Sequence, residues 1–287
     1  MKTGLVVEGG GMKCAYSAGI LDRFLDDGIT FEYCIGVSAG SANTASYLAG
    51  QRGRNLRFYT EHIHEPGYFG MGSYLKTGDL FGLHYIYATL TNSDGGDPLG
   101  MAAIRQNPAE FEIVATNAVT GKAEYFDGKK MPQDDYRLIM ASCALPAACR
   151  PVRYADSVYY DGGVADSVPL QRAMDRGCGK CVVILSKPRD FVMEPQQPRW
   201  FYTWKCRKYP EIIKALNRRH LDYRAQQEFI LKKEREGSAF VFAPSRHLPM
   251  STYAMDAKEN QALYELALAD YDESREKLLD FLKGESA

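Results

Sequence analysis

Leu5-Val6-Val7 begins the regular pattern of the chain as a short apolar, β-branched run that ends at Gly9-Gly10-Gly11, as a buried strand passing into a glycine loop does. Behind the glycines, Ala18, Leu21, Phe24 and Leu25 recur on one helical face, and Gly28 stands where a C-terminal cap belongs. Tyr33-Cys34-Ile35 restores the strand pattern and leads through Gly36 into a second helix, with Ala39, Ala42, Ala45, Leu48 and Ala49 ahead of Gly50. Strand, loop, helix, strand, turn, helix predicts a βαβ unit with a right-handed parallel connection.

Residues 54–107 break this regularity. Gly67, Gly70, Gly72, Gly78, Gly82 and the cluster over 92–98 predict loops and short helices, read either as a mobile cover over a site or as a surface insertion. Strands return over 111–116 and, after a turn at Thr120-Gly121, over 123–126. A helix is expected over 135–143, stopped near Pro146, then a hairpin of 152–154 and 157–160 around Ala155-Asp156, a helix over 169–176 and a strand over 182–185. Alternating strands and helices predict an α/β fold whose sheet is mostly parallel and covered on both faces.

Beyond Ser186, Pro188, Pro195, Pro198 and Pro210 interrupt the chain and long charged helices follow. The expected division is an α/β domain over 1–189 and a mainly helical extension over 190–287, packed on the core. Residues 258–282 form the clearest helix: Asp256 and Glu259 suit a capping box, and Leu263, Leu266, Ala267, Tyr271, Leu278 and Leu282 share a face. Helices over 211–216 and 221–236 are expected beside it.

Lys and Arg number 35 against 36 Asp and Glu in 287 residues, so no overall field draws the protein to nucleic acid, which is excluded as a partner class. Glu8 closes the first apolar run before it reaches the length of a signal peptide or a membrane span. Cys14, Cys34, Cys143, Cys149, Cys178, Cys181 and Cys206 are scattered without framework spacing, which suits a reducing cytoplasm. Cys178-Gly-Lys-Cys181 lacks a second pair at zinc spacing and is read as structural; His62-Ile-His64 lacks an evident third ligand and is read as a solvated helix face. No metal or other cofactor is expected.

The candidate chemistry lies at the glycines. Gly36-Val37-Ser38-Ala39-Gly40 is G-x-S-x-G between a predicted strand and a predicted helix, where a sharp turn lifts a serine hydroxyl above the strand end. The alternative is a tight-turn serine without a catalytic role. Gly9, Gly10, Gly11 and Met12 offer amides at a helix start for the negative charge that builds on an attacked carbonyl oxygen. A phosphate loop is the competing reading, but neither G-x-x-x-x-G-K-[ST] nor G-x-G-x-x-G is satisfied. No histidine after Ser38 sits in a glycine-bounded turn at a strand end, whereas Asp161 in Tyr160-Asp161-Gly162-Gly163 does, as a base or as a plain turn residue. A free aspartate titrates near about 3.9, so a base there needs partial burial.

Gly9-Gly10-Gly11-Met12-Lys13, then Gly36-Val37-Ser38-Ala39-Gly40, then Asp161-Gly162-Gly163 resemble, in that order, the motifs of the patatin-like phospholipase family over about residues 4–185. The resemblance implies a three-layer α/β/α fold and a Ser–Asp dyad that cleaves ester bonds of phospholipids or other acyl lipids without metal. It makes Ser38 the nucleophile, Asp161 the base and Gly10, Gly11 and Met12 the oxyanion amides, with Gly9, Lys13, Gly36, Gly40 and Gly162 in support. Residues 1–189 are then the catalytic domain, and the segment 141–146 helps to shape the site. Cys14 departs from the family's usual glycine, and Asp166 stands where the family often has asparagine before proline.

An acyltransferase built on the same acyl-enzyme, or a non-enzymatic module binding acyl lipid or phosphate, are the alternatives. Residues 199–209 interleave aromatic and basic side chains with no acid. One reading is peripheral contact with the inner face of a membrane, and the other is aromatic packing of the extension onto the core.

Overall fold

The structure is a computed structural model and describes residues 1–70, 73–75, 78–248 and 255–284. Eight strands form one sheet: β1 (Lys2–Val7), β2 (Tyr33–Val37), β3 (Glu110–Asn117), β4 (Ala123–Asp127), β5 (Val152–Tyr154), β6 (Ser157–Asp161), β7 (Cys178–Ile184) and β8 (Ala239–Phe242). Their order is β5-β6-β3-β2-β1-β7-β8, with β4 on the other edge of β3. β3, β2, β1, β7 and β8 run parallel, and the hairpin β5–β6 and strand β4 run antiparallel to their neighbours. The chain steps from β1 outward through β2 to β3, then returns to the other side of β1 as β7. The strand order therefore reverses beside β1, and crevices open at the carboxyl ends there.

Alternation along the buried strands builds two cores. Leu5, Val7, Val182, Ile184 and Phe242 join one core with residues of α1 (Ala15–Asp26), α2 (Ala39–Leu48), α3 (Arg54–Thr60), α4 (Met101–Gln106) and α9 (Ala257–Lys283). Val6, Ile35, Val37, Val183 and Val241 point the other way, to Leu170 and Ala173 of α6 (Leu170–Asp175) and to Tyr223 and Ile230 of α8 (Pro210–Arg235). The result is the three-layer α/β/α arrangement expected of strands that are apolar on both faces. α5 (Arg137–Cys143) packs across β3, β5 and β6, and α7 (Arg199–Lys205) precedes α8.

The long last helix is capped by Asp256, which accepts from the amides of Lys258 and Glu259 at 2.8 and 3.2 Å. It packs on α1, and two buried hydroxyls bind carboxylates across that contact: Tyr16 donates to Asp270 at 2.8 Å and Tyr264 to Asp22 at 2.9 Å.

Three features differ from the sequence expectation. β8 lies where no element is expected, because four residues after a charged helix are too short a run to show a period. The two helices expected over 211–216 and 221–236 are one, since polar residues 217–220 break the apolar pattern without breaking the backbone. β7 starts at Cys178 rather than after Cys181, and both cysteines are buried in it.

At the α1–α9 contact a Cβ on Gly19 would lie 2.7 Å from both Ala267 Cβ and Tyr264 O. Gly19→Ala is expected to lower unfolding free energy by about 1–3 kcal/mol through this overpacking. Denaturant melts with an unchanged midpoint would contradict it.

Candidate active site

One edge of β3 receives two strands from opposite directions. β2 runs parallel along Glu110–Val114, ending with Val37 opposite Val114. β6 runs antiparallel along the next stretch, ending with Asp161 opposite Ala115. The carboxyl ends of β2 and β6 therefore meet head-on, and the residue after Val37 is Ser38. Its hydroxyl donates to Asp161 Oδ2 at 2.6 Å.

Ser38 has φ 53° and ψ −132°, a strained conformation for a residue with a Cβ. The elbow exists because its surroundings permit it. A Cβ on Gly40 would stand 2.5 Å from Glu8 O, and one on Gly36 2.5 Å from Ser41 Cα, so both positions have no room for a side chain. Ser142 holds the turn from the side: it accepts from Ser38 N–H at 2.8 Å and donates to Val114 O at 2.6 Å, taking the place of the strand pairing that β2 has just left.

Asp161 is 2 % exposed. Its amide donates to Ala144 O at 2.8 Å and its carbonyl accepts from Thr116 Oγ at 2.8 Å. Its second carboxylate oxygen accepts from Gly163 N–H at 2.8 Å. Burial raises its pKa above the usual aspartate value, against the opposing pull of the Ser38 hydroxyl, the Arg219 guanidinium, the Gly163 amide and the Lys187 ammonium. A Cβ on Gly162 would clash with Val114 O, so the backbone can cross β3 only without one.

The glycine loop runs beside this pair. Gly11 has φ 57°, and a single 3-10 turn, Gly11–Cys14, leads into α1. The Lys13 amide closes on Gly10 O at 3.2 Å, which leaves the preceding amides of Gly10, Gly11 and Met12 ahead of the first helical bond. Cys14 fits at its departure from the family pattern, with Sγ 3.5 Å from Glu8 O and its carbonyl accepting from Asn43 Nδ2 at 2.9 Å. Fully buried Glu8 anchors the loop: it accepts from the Ser186 amide at 2.6 Å and pairs with Lys187, while Ser186 Oγ donates to Gly9 O at 3.0 Å.

Two cavities meet at Ser38. A cleft of about 620 Å³ is lined by Gly9, Gly10, Gly11, Lys13, Ser38 and Asp161, and by residues of the C-terminal segment including Phe191, Met193, Phe201, Leu216, Arg219 and His220. Behind the serine a chamber of about 70 Å³ touches Gly11, Met12 and Ser38 and is walled by Phe58, Tyr59, Tyr68, Phe81, Leu83, Ile86 and Tyr87, all buried. The irregular 54–107 segment thus forms an inner wall of the site. That chamber is about half the ~150 Å³ that takes up a benzene molecule, and the outer cleft is much the roomier of the two.

Residues 5–174 match the model of the patatin-like phospholipase family. The chain belongs to that family. Membership makes it a lipid acyl hydrolase in general terms. Residues 209–283 match a second family model, a domain of unknown function, DUF6363. The uncharacterized protein YjjU of Escherichia coli K12 is 24% identical over 270 residues, spanning 88% of this chain and 71% of that protein. Among solved structures, that of VipD from Legionella pneumophila aligns with 95% of this chain and 67% of its own, at TM-score 0.43 and 13% identity.

All the residues singled out from the family motifs converge. Gly9, Gly10, Gly11, Lys13, Ser38 and Asp161 line the cleft, Met12 lines the chamber, Gly36 and Gly40 underlie the elbow and Gly162 carries the turn after Asp161. Sequence reasoning missed Glu8, Ser186, Lys187 and Arg219, and did not single out Ser142 within 141–146. The signal for Glu8 and Lys187 is a charge at the carboxyl end of a strand that is otherwise apolar. Asp166, in place of the usual asparagine, accepts from Tyr125 Oη at 2.8 Å and Gln226 Nε2 at 2.9 Å, and burial raises its pKa to about 6. The His62 ring is not on a solvated face: it lies 2.7 Å from a Glu65 oxygen and 3.2 Å from an Asp97 oxygen.

A carboxyl whose folded pKa is raised stabilises the fold below its unfolded value and loses that contribution as pH rises through the folded value. Asp161→Asn removes the titration. The variant is expected to match the parent's thermal midpoint in acid and to exceed it increasingly as pH rises to neutrality. A parent as stable as the variant at neutral pH would contradict the burial effect.

Proposed function

We propose that the protein is a serine acyl hydrolase working through an acyl-enzyme, with Ser38 as nucleophile, Asp161 as base and the amides of Gly10, Gly11 and Met12 as oxyanion binder. The observation that carries this is the 2.6 Å bond from Ser38 Oγ to Asp161 Oδ2 beside the glycine turn. Ser38 Oγ attacks the ester carbonyl carbon as its proton passes to Asp161, and the oxyanion takes the amides. Collapse breaks the bond to the alcohol, which leaves with the proton from Asp161. Water then attacks the acyl-serine, losing its proton to the same carboxylate, and the acid departs as Ser38 is reprotonated. A buried carboxylate is a better base than a free one, which supports doing this without histidine.

The mouth of the cleft supports an acyl lipid drawn from a surface. Among the described residues no helix is long and apolar enough to cross a membrane. Tyr202 packs inward, whereas Trp200 and Trp204 are 72% and 54% exposed on α7, and Leu75, which follows Tyr74 in the chain, is 79% exposed. Lys205 joins these parts, donating to Tyr74 Oη at 2.6 Å, and Tyr74 and Phe201 line the cleft. Arg199, Lys205, Arg207 and Lys208 add positive charge. An aromatic and basic rim of this kind suits an anionic membrane surface.

A fluorophosphonate probe is expected to label the protein at Ser38 and not to label Ser38→Ala. Asp161→Asn should cut ester turnover by about 10²–10⁴. Labelling that survives the first change, or turnover that survives the second, would refute the dyad. Replacing Trp200 and Trp204 together by Ala is expected to weaken sedimentation with phosphatidylglycerol-containing vesicles by about tenfold while sparing turnover of a soluble ester. Equal vesicle binding would rule out the rim as a docking surface.

A further inference from the structure

One face of α8 lies along the turn that follows Asp161. Leu216, Arg219, Tyr223 and Gln226 recur there at helical spacing, and all four engage the stretch from Gly163 to Val168. Leu216 packs in one cluster with Val164 and Tyr160, and Tyr223 in another with Val168. Gln226 accepts from the Val168 amide at 3.1 Å and donates to Asp166 at 2.9 Å. Arg219 comes closest to the chemistry: its Nε donates to Gly163 O at 2.6 Å, and Gly163 gives its own amide to Asp161 Oδ1 at 2.8 Å. A Cβ on Gly163 would stand 3.1 Å from Asp161 Oδ1 and 3.5 Å from Arg219 Nη2, so the carboxylate and the guanidinium flank the same bare Cα.

We propose that the C-terminal segment completes the active site: α8 holds the turn that carries the base, and Arg219, acting through Gly163, sets Asp161 against Ser38. The inference rests on the hydrolase reading and adds a positioning residue outside the stretch that matches the phospholipase family, within the one that matches the domain of unknown function. Arg219 contributes charge as well as a grip. A buried carboxyl must still be ionised to take the serine proton. Burial raises the Asp161 pKa, and of the charges that oppose this rise Arg219 acts more strongly than Lys187. The nearby thiols of Cys143 and Cys149 stay neutral, pushed up to about 12 by burial, and Lys13, Glu194 and His220 line the same cleft. Without the guanidinium Asp161 keeps its proton to higher pH, and less of the enzyme has a working base at neutrality.

The test measures kcat and KM for p-nitrophenyl butyrate, a soluble ester, across the acid and neutral range. Arg219→Gln is expected to lower kcat at neutral pH by about 10–100-fold with KM within about twofold, and to move the acid limb of the kcat profile up by about one pH unit. Arg219→Lys, which restores a positive charge without the planar Nε donor, should bring the acid limb back towards the parent and recover only part of kcat. Arg218→Gln removes an exposed charge from the next position and should match the parent. Activity lost with an unmoved acid limb would leave Arg219 a structural role alone, and a raised KM with unchanged kcat would make it a substrate contact. Either result, or parental behaviour in Arg219→Gln, overturns the proposal. If Arg219→Gln does not fold, Arg219→Lys decides: a kcat equal to the parent's overturns it. Fluorophosphonate labelling of Ser38 separates this inference from the reading beneath it. Parent and Arg219→Gln labelled at one rate at neutral pH refutes only the role of Arg219, whereas a parent that takes no label sinks the hydrolase reading too.

Discussion

The candidate site depends on a single edge of β3, along which β2 and β6 are paired end to end. Backbone pairing fixes Val37 opposite Val114 and Asp161 opposite Ala115, adjacent positions on a rigid central strand. A serine hydroxyl and a carboxylate 123 residues apart are then 2.6 Å from one another with little left to side-chain choice. Ser142 closes the seam between the two strand ends, and Gly162 lets the chain leave it. A site built on strands is held more tightly than one built on loops, which is what a short carboxylate needs in order to reach its partner.

The carboxyl end of β1, beside the site, tolerates charges that a core would otherwise reject. Glu8 is fully buried and is acceptable because the Ser186 amide and Lys187 meet it. Such a pair adds little to stability but fixes geometry, here the path of the glycine turn over Ser38. Asp161 is in the opposite regime: its partners pull its pKa down less than burial pushes it up, so its ionised form is kept at a cost in fold stability. Sites that need a base commonly carry this trade.

Much of this was legible in the sequence. Strands apolar on both faces implied layers on either side of the sheet, and glycines at Gly9–Gly11, Gly36, Gly40 and Gly162 marked where backbones approach one another. Family motifs named Ser38 and Asp161, but no local pattern states that β6 turns antiparallel and abuts β2, since that is a tertiary pairing. Glu8 and Lys187 were hidden for a similar reason: each looks like an ordinary surface charge until its strand end is buried. Polar residues 217–220 looked like the gap between two helices because none of them packs in the core: Arg219 and His220 line the cleft, Asn217 accepts from Tyr202 and Arg218 pairs with Asp222 at the surface.

Because the meeting of Ser38 and Asp161 is set by register on β3, the length of chain between them carries no information about the geometry. The connections on either side of α5 can grow or shrink without moving either strand end, provided Ser142 still reaches the seam. A search for similar sites keyed to a fixed interval between the G-x-S-x-G and D-G-G motifs would therefore overlook chains with the same arrangement. A search keyed to two strands ending against each other would recover them.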